Sequence, residues 1–208
     1  MSPKSFSLPN NPARPLLIVL SGLSGVGKDT VLAGLRKSGL PAAISISATT
    51  RARRPSEKDG ADYYFVSDEK FQEMIDSREL LEWATVYGNR YGIPKAPVRR
   101  WLKDGKDVIV KIDVQGAATI KKNVPQAVLI FLCTLTMEEL ERRLKKRRTE
   151  SPEELALRLK TAENEMSQLD MFDYVIVNRE NELERTIEDV KAIIAAEKCK
   201  VTPREIKI

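Results

Sequence analysis

The fold of this 208-residue chain is decided by the stretch Leu16-Leu-Ile-Val-Leu-Ser-Gly22-Leu-Ser-Gly25-Val-Gly27-Lys28-Asp29-Thr30. Aliphatic residues lead into a glycine-rich turn, and a helix-like pattern begins at Lys28. Glycines allow successive backbone N–H groups to point inward around a phosphate, where the helix N-terminus adds its positive end. A glycine-rich turn without chemical purpose is the alternative, but the order of strand, Gly-x4-Gly-Lys and helix argues against it. We therefore predict a phosphate-binding loop in which Lys28 reaches the β- and γ-phosphates of a nucleotide.

The position after the loop lysine departs from the usual pattern. It normally carries Ser or Thr to hold Mg²⁺, whereas this chain has Asp29, with Thr30 next. A carboxylate is a suitable ligand for Mg²⁺, directly or through water. It also places negative charge beside phosphates. Asp29 and Thr30 are therefore the candidate metal ligands, and the role of Asp29 stays open.

Composition limits the possible chemistry. Hydrophobic residues make up 42% and charged residues 31%, which is a globular balance, and the net charge of +5 suits polyanionic partners without identifying one. The chain has no histidine, which excludes a Ser-His-Asp triad and histidine-ligated metals. The two cysteines, Cys133 and Cys199, do not suggest a disulfide framework. The apolar run Leu16–Leu20 is too short to span a membrane, and residues 1–14 suggest a flexible tail and no signal peptide. We expect a cytoplasmic protein.

Short aliphatic runs alternate with longer amphipathic segments, which predicts an α/β fold with a parallel sheet flanked by helices. The predicted strands are Leu16–Leu20, Ala43–Ala48, Val108–Asp113, Val128–Cys133 and Tyr174–Asn178. The predicted helices are Lys28–Lys37, Pro97–Lys103, Ala117–Lys122, Met137–Arg147, Pro152–Leu169 and Leu183–Glu197. Between Thr49 and Pro94 the chain changes to short β-prone pieces, which we interpret as a small antiparallel insert with one helix, Asp68–Asp76.

The insert and the segments beside it carry several short motifs in a fixed order. Arg51, Arg53 and Arg54 form a candidate anion site, because a guanidinium donates two parallel hydrogen bonds to a phosphate. The motifs are Ser45-Ile-Ser47-Ala-Thr-Thr-Arg51, Asp62-Tyr63-Tyr64-Phe65, Glu82-Trp83, Gly88-Asn-Arg-Tyr91-Gly92 and Ile112-Asp113-Val-Gln-Gly116. Together with the phosphate loop, this order resembles the guanylate kinase family over roughly residues 16–195.

The resemblance implies a P-loop nucleoside monophosphate kinase fold that transfers the γ-phosphate of ATP to GMP. Its parallel core would comprise 15–48, 94–136 and 159–197, with a mixed β GMP-binding insert at 49–93 and a helical lid at 137–158. The implied partners are ATP, accompanied by Mg²⁺, and GMP, with no nucleic acid or membrane, in a monomer or homodimer. Two alternatives remain: a kinase of the same fold with another acceptor, and a non-catalytic binding module.

Individual roles also follow from the resemblance. ATP would be bound by Gly22, Leu23, Ser24, Gly25, Val26, Gly27, Lys28, Asp29 and Thr30. The GMP phosphate would be bound by Arg51, Arg54, Tyr63 and Tyr91, and the guanine by Ser47 and Glu82, because a carboxylate can bridge the N1–H and N2–H₂ donors. Asp113 would contact the acceptor; metal hydration and helix N-capping are its alternatives. Lys28, Arg143, Arg147 and Arg158 would be catalytic.

The basic run Arg142–Arg148 and three single positions leave questions open. Six of the seven residues in this run are basic, and a solvated helix face or a nucleic-acid site are alternatives to a lid. Ile93 replaces a Thr or Ser that helps to bind guanine in the family. Lys111 stands where an acidic residue is common, and Arg148 replaces a usual glycine.

Overall fold

The computed structural model describes residues 14–86, 88–146 and 152–208. In chain order, its strands are β1 (Leu17–Gly22), β2 (Ala42–Ile44), β3 (Ser47–Thr49), β4 (Tyr63–Phe65), β5 (Leu80–Val86), β6 (Asn89–Pro94), β7 (Asp107–Lys111), β8 (Val128–Cys133) and β9 (Tyr174–Val177). Its helices are α1 (Lys28–Lys37), α2 (Asp68–Asp76), α3 (Lys95–Lys103), α4 (Val114–Asn123), α5 (Met137–Lys146), α6 (Pro152–Met166) and α7 (Leu183–Lys198).

The central sheet has the strand order β2-β7-β1-β8-β9, and all of its pairings are parallel. Its middle strand β1 is buried along its whole length. Ile18 and Leu20 belong to one hydrophobic cluster, whereas Leu17 and Val19 belong to another. Because successive side chains of a strand point to opposite faces, the sheet carries a core on each side, which explains why its strands are continuous apolar runs.

Helices cover both faces of the sheet. Val31 of α1 and Val190 of α7 pack in the first cluster, whereas Val98 of α3 and Ile120 of α4 pack in the second. The predicted parallel sheet flanked by helices is therefore confirmed. Among the described residues, no helix is long and apolar enough to cross a membrane.

The insert forms a second sheet with the order β4-β3-β6-β5. The pairing of β3 with β4 is parallel and those of β6 with β3 and β5 are antiparallel, so the insert is mixed and not purely antiparallel. The predicted single strand Ala43–Ala48 is wrong. The chain leaves the central sheet after Ile44 and joins the second sheet at Ser47, so one apolar run supplies strands to both.

Most of the other predicted elements are confirmed within a few residues, and α1, α2 and β8 match their predicted limits. The predicted limits of core, insert and lid stay a prediction. Apart from residue 14, the predicted N-terminal tail lies outside the described residues.

The last residues of the chain are fixed to the core by Glu197 at the end of α7. Its carboxylate is fully buried and accepts hydrogen bonds from Arg204, Lys200 and the hydroxyl of Tyr174. Burial alone would raise the pKa of Glu197, but these hydrogen bonds lower it to about 2. This buried ion-pair network holds the C-terminal segment at the edge of the sheet where β1 begins.

Candidate active site

The loop after β1 depends on two glycines. A Cβ atom at Gly22 would lie 2.0 Å from the carbonyl oxygen of Leu132 on β8, so the loop can leave the sheet here only without a side chain. Gly27 caps α1 with φ +99°, a left-handed conformation that glycine adopts without strain. The strand, the turn and the helix N-terminus of the predicted phosphate loop therefore have the geometry that an anion site requires.

Lys28 lies within this loop and bonds to its backbone. Its Nζ donates to the carbonyl oxygens of Gly22 at 2.6 Å and Leu23 at 3.0 Å. Burial lowers the pKa of Lys28 to about 8, although the charge of Glu165 opposes this effect. A phosphate entering the loop would favour the charged ammonium, because an opposite charge stabilises the ionised form.

Asn178, which follows β9, fixes the loop from the neighbouring strand. Its Nδ2 donates to the carbonyl oxygen of Val26 at 2.7 Å, and its Oδ1 accepts from the hydroxyl of Thr186 at 2.9 Å. Arg143 of α5 donates to the carbonyl oxygens of Val26 and Asn178, at 3.2 and 2.7 Å. The sequence did not indicate that Asn178 contacts the loop, because its partners Val26 and Thr186 lie 152 and 8 residues away along the chain.

A second helix reaches the loop through Ser24. Arg158 of α6 donates to the Ser24 hydroxyl at 3.0 Å, and Glu165, two turns later, accepts from the Ser24 amide at 3.3 Å. Burial raises the pKa of Glu165. Arg143 and Arg158, two of the three predicted lid arginines, therefore contact the phosphate loop. The third, Arg147, lies outside the described residues, as does Arg148.

Beside the loop is a cavity of about 320 Å³. The predicted GMP-binding residues that line it are Ser47, Arg51, Arg54, Tyr63 and Tyr91, and Asp29 and Lys111 line it as well. Cavities of about 560 and 600 Å³ lie instead against the amino ends of the central strands, where Arg14, Pro15 and Leu102 contribute to their walls. Ligands of open parallel sheets bind at the carboxyl ends of the strands, so the smaller cavity is the candidate site.

The arginines of this cavity are held in place by Glu57, which the sequence did not single out. Arg51 donates to the Glu57 carboxylate at 2.7 Å, and both side chains are mostly buried. The second carboxylate oxygen accepts from the backbone amide of Arg54 at 2.9 Å. The Arg51 guanidinium also lies 5.5 Å from the ring centre of Tyr63. Cations and phenolic hydroxyl groups thus converge in the cavity, a combination that suits a phosphate.

Glu82 of β5 is buried although it carries a carboxyl group. The register of β5 against β6 shifts between Leu80 and Trp83, so Leu80, Leu81 and Glu82 are all buried and the usual alternation is lost. Such a bulge redirects a side chain, and this explains how a carboxylate on a strand points inward. Burial, aided by the charge of Asp113, raises the pKa of Glu82 to about 8.

Asp113 and Gly116 form the surroundings of Glu82. The Asp113 carboxylate caps α4 by accepting from the Gly116 amide at 2.8 Å, so the N-cap role is confirmed, and burial raises the pKa of Asp113. A Cβ atom at Gly116 would lie 2.5 Å from Oε2 of Glu82, which requires a glycine there. Neither carboxylate lines the cavity beside the loop, so the structure does not bring them together with Arg51 and Tyr63 in one pocket.

Ile93 and the candidate metal ligands complete the site. Ile93 is fully buried in a hydrophobic cluster and offers no polar contact to a ligand. Oδ1 of Asp29 accepts from the ammonium of Lys111 at 2.5 Å, and Thr30 is exposed in the first turn of α1. In the described part of the chain, no group of three or more acidic, histidine or cysteine side chains could hold a metal ion.

The parallel sheet, the glycine-rich loop with Lys28, the mixed insert and the arginines of α5 and α6 together define a class, the P-loop nucleoside monophosphate kinases. Comparisons with known proteins narrow the class. The family model for guanylate kinase matches residues 14–197. The chain therefore belongs to the guanylate kinase family.

Individual relatives agree with this assignment. A guanylate kinase of Caldanaerobacter subterraneus subsp. tengcongensis is 46% identical over 186 residues, which cover 89% of each chain. Guanylate kinase 2, chloroplastic/mitochondrial, of Oryza sativa subsp. japonica is 44% identical over 95% of this chain and 70% of its own. The crystal structure of a guanylate kinase from Anaplasma phagocytophilum superimposes with a TM-score of 0.74 at 34% identity, covering 91% of this chain and 88% of that one.

Proposed function

We propose that this protein transfers the γ-phosphate of ATP to GMP and produces ADP and GDP. One observation carries the proposal: the cavity lined by Arg51, Arg54, Tyr63 and Tyr91 begins at Asp29, the residue directly after Lys28 of the phosphate loop. A donor phosphate in the loop and an acceptor phosphate in the cavity would therefore be neighbours. Such proximity is the main requirement for an in-line phosphoryl transfer.

The donor nucleotide would be held by the loop and by Lys28. On binding, the ammonium would exchange its bonds to the carbonyl oxygens of Gly22 and Leu23 for bonds to the β- and γ-phosphates. Mg²⁺ would enter as part of the MgATP substrate. In the first turn of α1, Asp29 and Thr30 carry the side-chain oxygens that would contact the water molecules bound to Mg²⁺. Lys111 already donates a hydrogen bond to one oxygen of Asp29.

The acceptor would need no general base. The phosphate of GMP is already a dianion near neutral pH, and Arg51, Arg54, Tyr63 and Tyr91 would orient one of its oxygens toward the γ-phosphate. Arg143 and Arg158, which contact the phosphate loop, would stabilise the charge of the transferring group. We propose the same function for Arg147.

Guanine would be recognised by Glu82 and Ser47. Glu82 is buried, and none of the described residues donates a hydrogen bond to its carboxylate, so its oxygens are available for the two donors of the guanine edge. Asp113 would contact the acceptor nucleotide from the adjoining cap of α4. Since Glu82 lies outside the cavity wall, the proposal requires the insert to move toward the core when GMP binds.

Location and assembly complete the proposal. We propose a cytoplasmic enzyme that acts as a monomer or homodimer and binds neither nucleic acid nor membranes. The two cysteines are free thiols, which supports a reducing compartment.

The test is a measurement of both products. The purified protein is mixed with MgATP and GMP, and ADP and GDP are quantified by anion-exchange chromatography. We expect equal amounts of both, and a loss of about a thousandfold in rate when Lys28 is changed to Met, because the ammonium stabilises the transferring phosphates. Lys37→Met, an exposed change on the same helix, is the matched control. Release of ADP without GDP would contradict the proposal.

A further inference from the structure

Lys111, at the end of β7, joins the phosphate loop to the insert. Its Nζ donates to Oδ1 of Asp29 at 2.5 Å and to the hydroxyl of Tyr63 at 3.1 Å. Asp29 lies in the first turn of α1 and Tyr63 in β4, so the contacts span 82 and 48 residues of the chain. Asp29 and Lys111 each depart from the family pattern, and the two departures contact each other.

The position of Lys111 is that of a ligand-binding side chain. It lies opposite Leu20 of β1 in the parallel register, at the carboxyl edge of the central sheet where ligands bind. Its side chain is only 20% exposed, and the surface that remains faces the cavity that Arg51 and Tyr63 also line. Lys111 is thus a cation within the candidate acceptor site.

The ammonium group of Lys111 has bonding capacity left. A lysine carries three N–H donors, and the described residues provide two acceptors for them, Asp29 and Tyr63. Burial alone would lower the pKa of Lys111, but the interactions with Tyr63 and Asp29 raise it above the ordinary value. A charged donor beside a cavity lined with arginine and tyrosine suits a phosphate dianion.

We propose that Lys111 binds the phosphate of the acceptor mononucleotide and at the same time neutralises Asp29, whose carboxylate would otherwise repel that phosphate. The inference rests on the proposed GMP kinase function and adds a phosphate-binding residue to it. The Asp29 side chain is 82% exposed, so the ion pair alone adds little stability. The ion pair instead reduces the negative charge of Asp29 near the phosphate of the acceptor nucleotide.

Binding without metal or ATP tests the first half of the inference. Calorimetry in EDTA compares GMP with guanosine, which lacks the phosphate. We expect Lys111→Met to weaken GMP binding about tenfold, the effect of one charge-assisted hydrogen bond, and to leave guanosine binding within about twofold. Lys111→Arg, which keeps the charge, should bind GMP within about threefold of the unchanged protein. Lys103→Met, an exposed change at the end of α3, controls for the loss of one positive charge.

A double variant tests the second half. Lys111→Met removes the ion pair between Lys111 and Asp29, so adding Asp29→Asn should recover about threefold of the lost GMP affinity, because it removes a negative charge beside the acceptor phosphate. No recovery would contradict the neutralising role. Equal weakening of GMP and guanosine by Lys111→Met, or no weakening of either, would overturn the phosphate contact.

The activity of the unchanged protein separates this inference from the function on which it rests. If that protein phosphorylates GMP while Lys111→Met binds GMP normally, the inference alone is wrong. If the unchanged protein neither binds nor phosphorylates GMP, both proposals are wrong.

Discussion

The guanidinium of Arg158 donates a hydrogen bond of 3.0 Å to the hydroxyl of Ser24, which lies 134 residues earlier in the chain. Glu165 of the same helix accepts a hydrogen bond from the Ser24 amide, so α6 is joined to the phosphate loop by two hydrogen bonds at Ser24. A predicted lid arginine therefore contacts the phosphate loop directly. We propose that its positive charge stabilises the charge that develops during phosphoryl transfer.

Changing Arg158 to Lys should lower kcat about a hundredfold with a smaller effect on the KM for GMP, because a point charge cannot reproduce the planar fork at a transferring phosphate. Steady-state kinetics with GMP as the varied substrate measure both quantities. Arg185→Lys, an exposed change on α7, is the control. An unchanged kcat would remove Arg158 from the catalytic set.

ATP binding should take up a proton at Lys28. Burial lowers the pKa of Lys28 to about 8 in the free protein, and bound phosphates would raise it. At pH 8.5 the free side chain is mostly neutral and becomes charged on binding, whereas at pH 7 it is already charged. We expect calorimetry in buffers of different ionisation enthalpy to show uptake at pH 8.5 and little at pH 7. Lys28→Met should abolish the uptake and Lys37→Met should preserve it; equal uptake at both pH values would be evidence against this assignment.

GMP binding should release a proton from Glu82. Its pKa of about 8 means that the carboxyl is mostly protonated at pH 7, whereas the guanine edge requires the ionised form. The affinity for GMP should therefore rise with pH between 6.5 and 8, by up to about tenfold per unit, and level off above the pKa. Titrations across this range measure the slope. Glu82→Gln should bind weakly with a flatter profile, and a steep slope in that variant would assign the titration to another group.

Removing Glu197 should destabilise the fold. Its side chain is fully buried against Arg204, so Glu197→Ala leaves this buried cation with a longer ion pair of 3.5 Å to Asp173 and should lower the free energy of unfolding by about 3 kcal/mol. Glu188→Ala breaks the Lys191 pair on the same helix, which is largely exposed, and should cost less than about 1 kcal/mol. Urea denaturation compares the two.

The pH dependence of this stabilisation has a definite sign. Because the folded pKa of Glu197 is about 2 and the ordinary value is 4.5, its contribution is complete above the ordinary value and is lost as the pH falls toward 2. The stability difference between Glu197→Ala and the unchanged protein should shrink over that interval. A difference that is constant from pH 6 to pH 3 would contradict the buried ion-pair account.

The sequence predicted elements that local patterns specify. The strand Val128–Cys133 has the predicted limits because a continuous apolar run is a local signal. The helix Asp68–Asp76, which the structure shows to be capped by Ser67, also has the predicted limits. The prediction of a single strand at Ala43–Ala48 is wrong, because nothing in these six residues shows that the chain passes from one sheet to the other after Ile44.

Some residues of the candidate site could also be predicted from sequence patterns, whereas others could not. Lys28 and the glycines follow from spacing alone, and the motif order of the family indicated Glu82. Three other contacts of the site join residues that are far apart in the chain. They are the hydrogen bonds of Asn178 with Val26, of Glu165 with Ser24 and of Lys111 with Asp29, which span 152, 141 and 82 positions. Such contacts depend on how strands and helices pack, and local sequence patterns do not show it.

A comparison of acceptor nucleotides tests most directly whether this protein phosphorylates GMP. The protein is mixed with MgATP, and ADP release is followed with GMP, dGMP, AMP, CMP and UMP offered separately. The account predicts rapid release with GMP, slower release with dGMP, and rates lower by at least about a hundredfold with the other three, because a buried carboxylate rejects bases without the paired donors. Comparable release with AMP or with every acceptor, or no release with GMP, would contradict it.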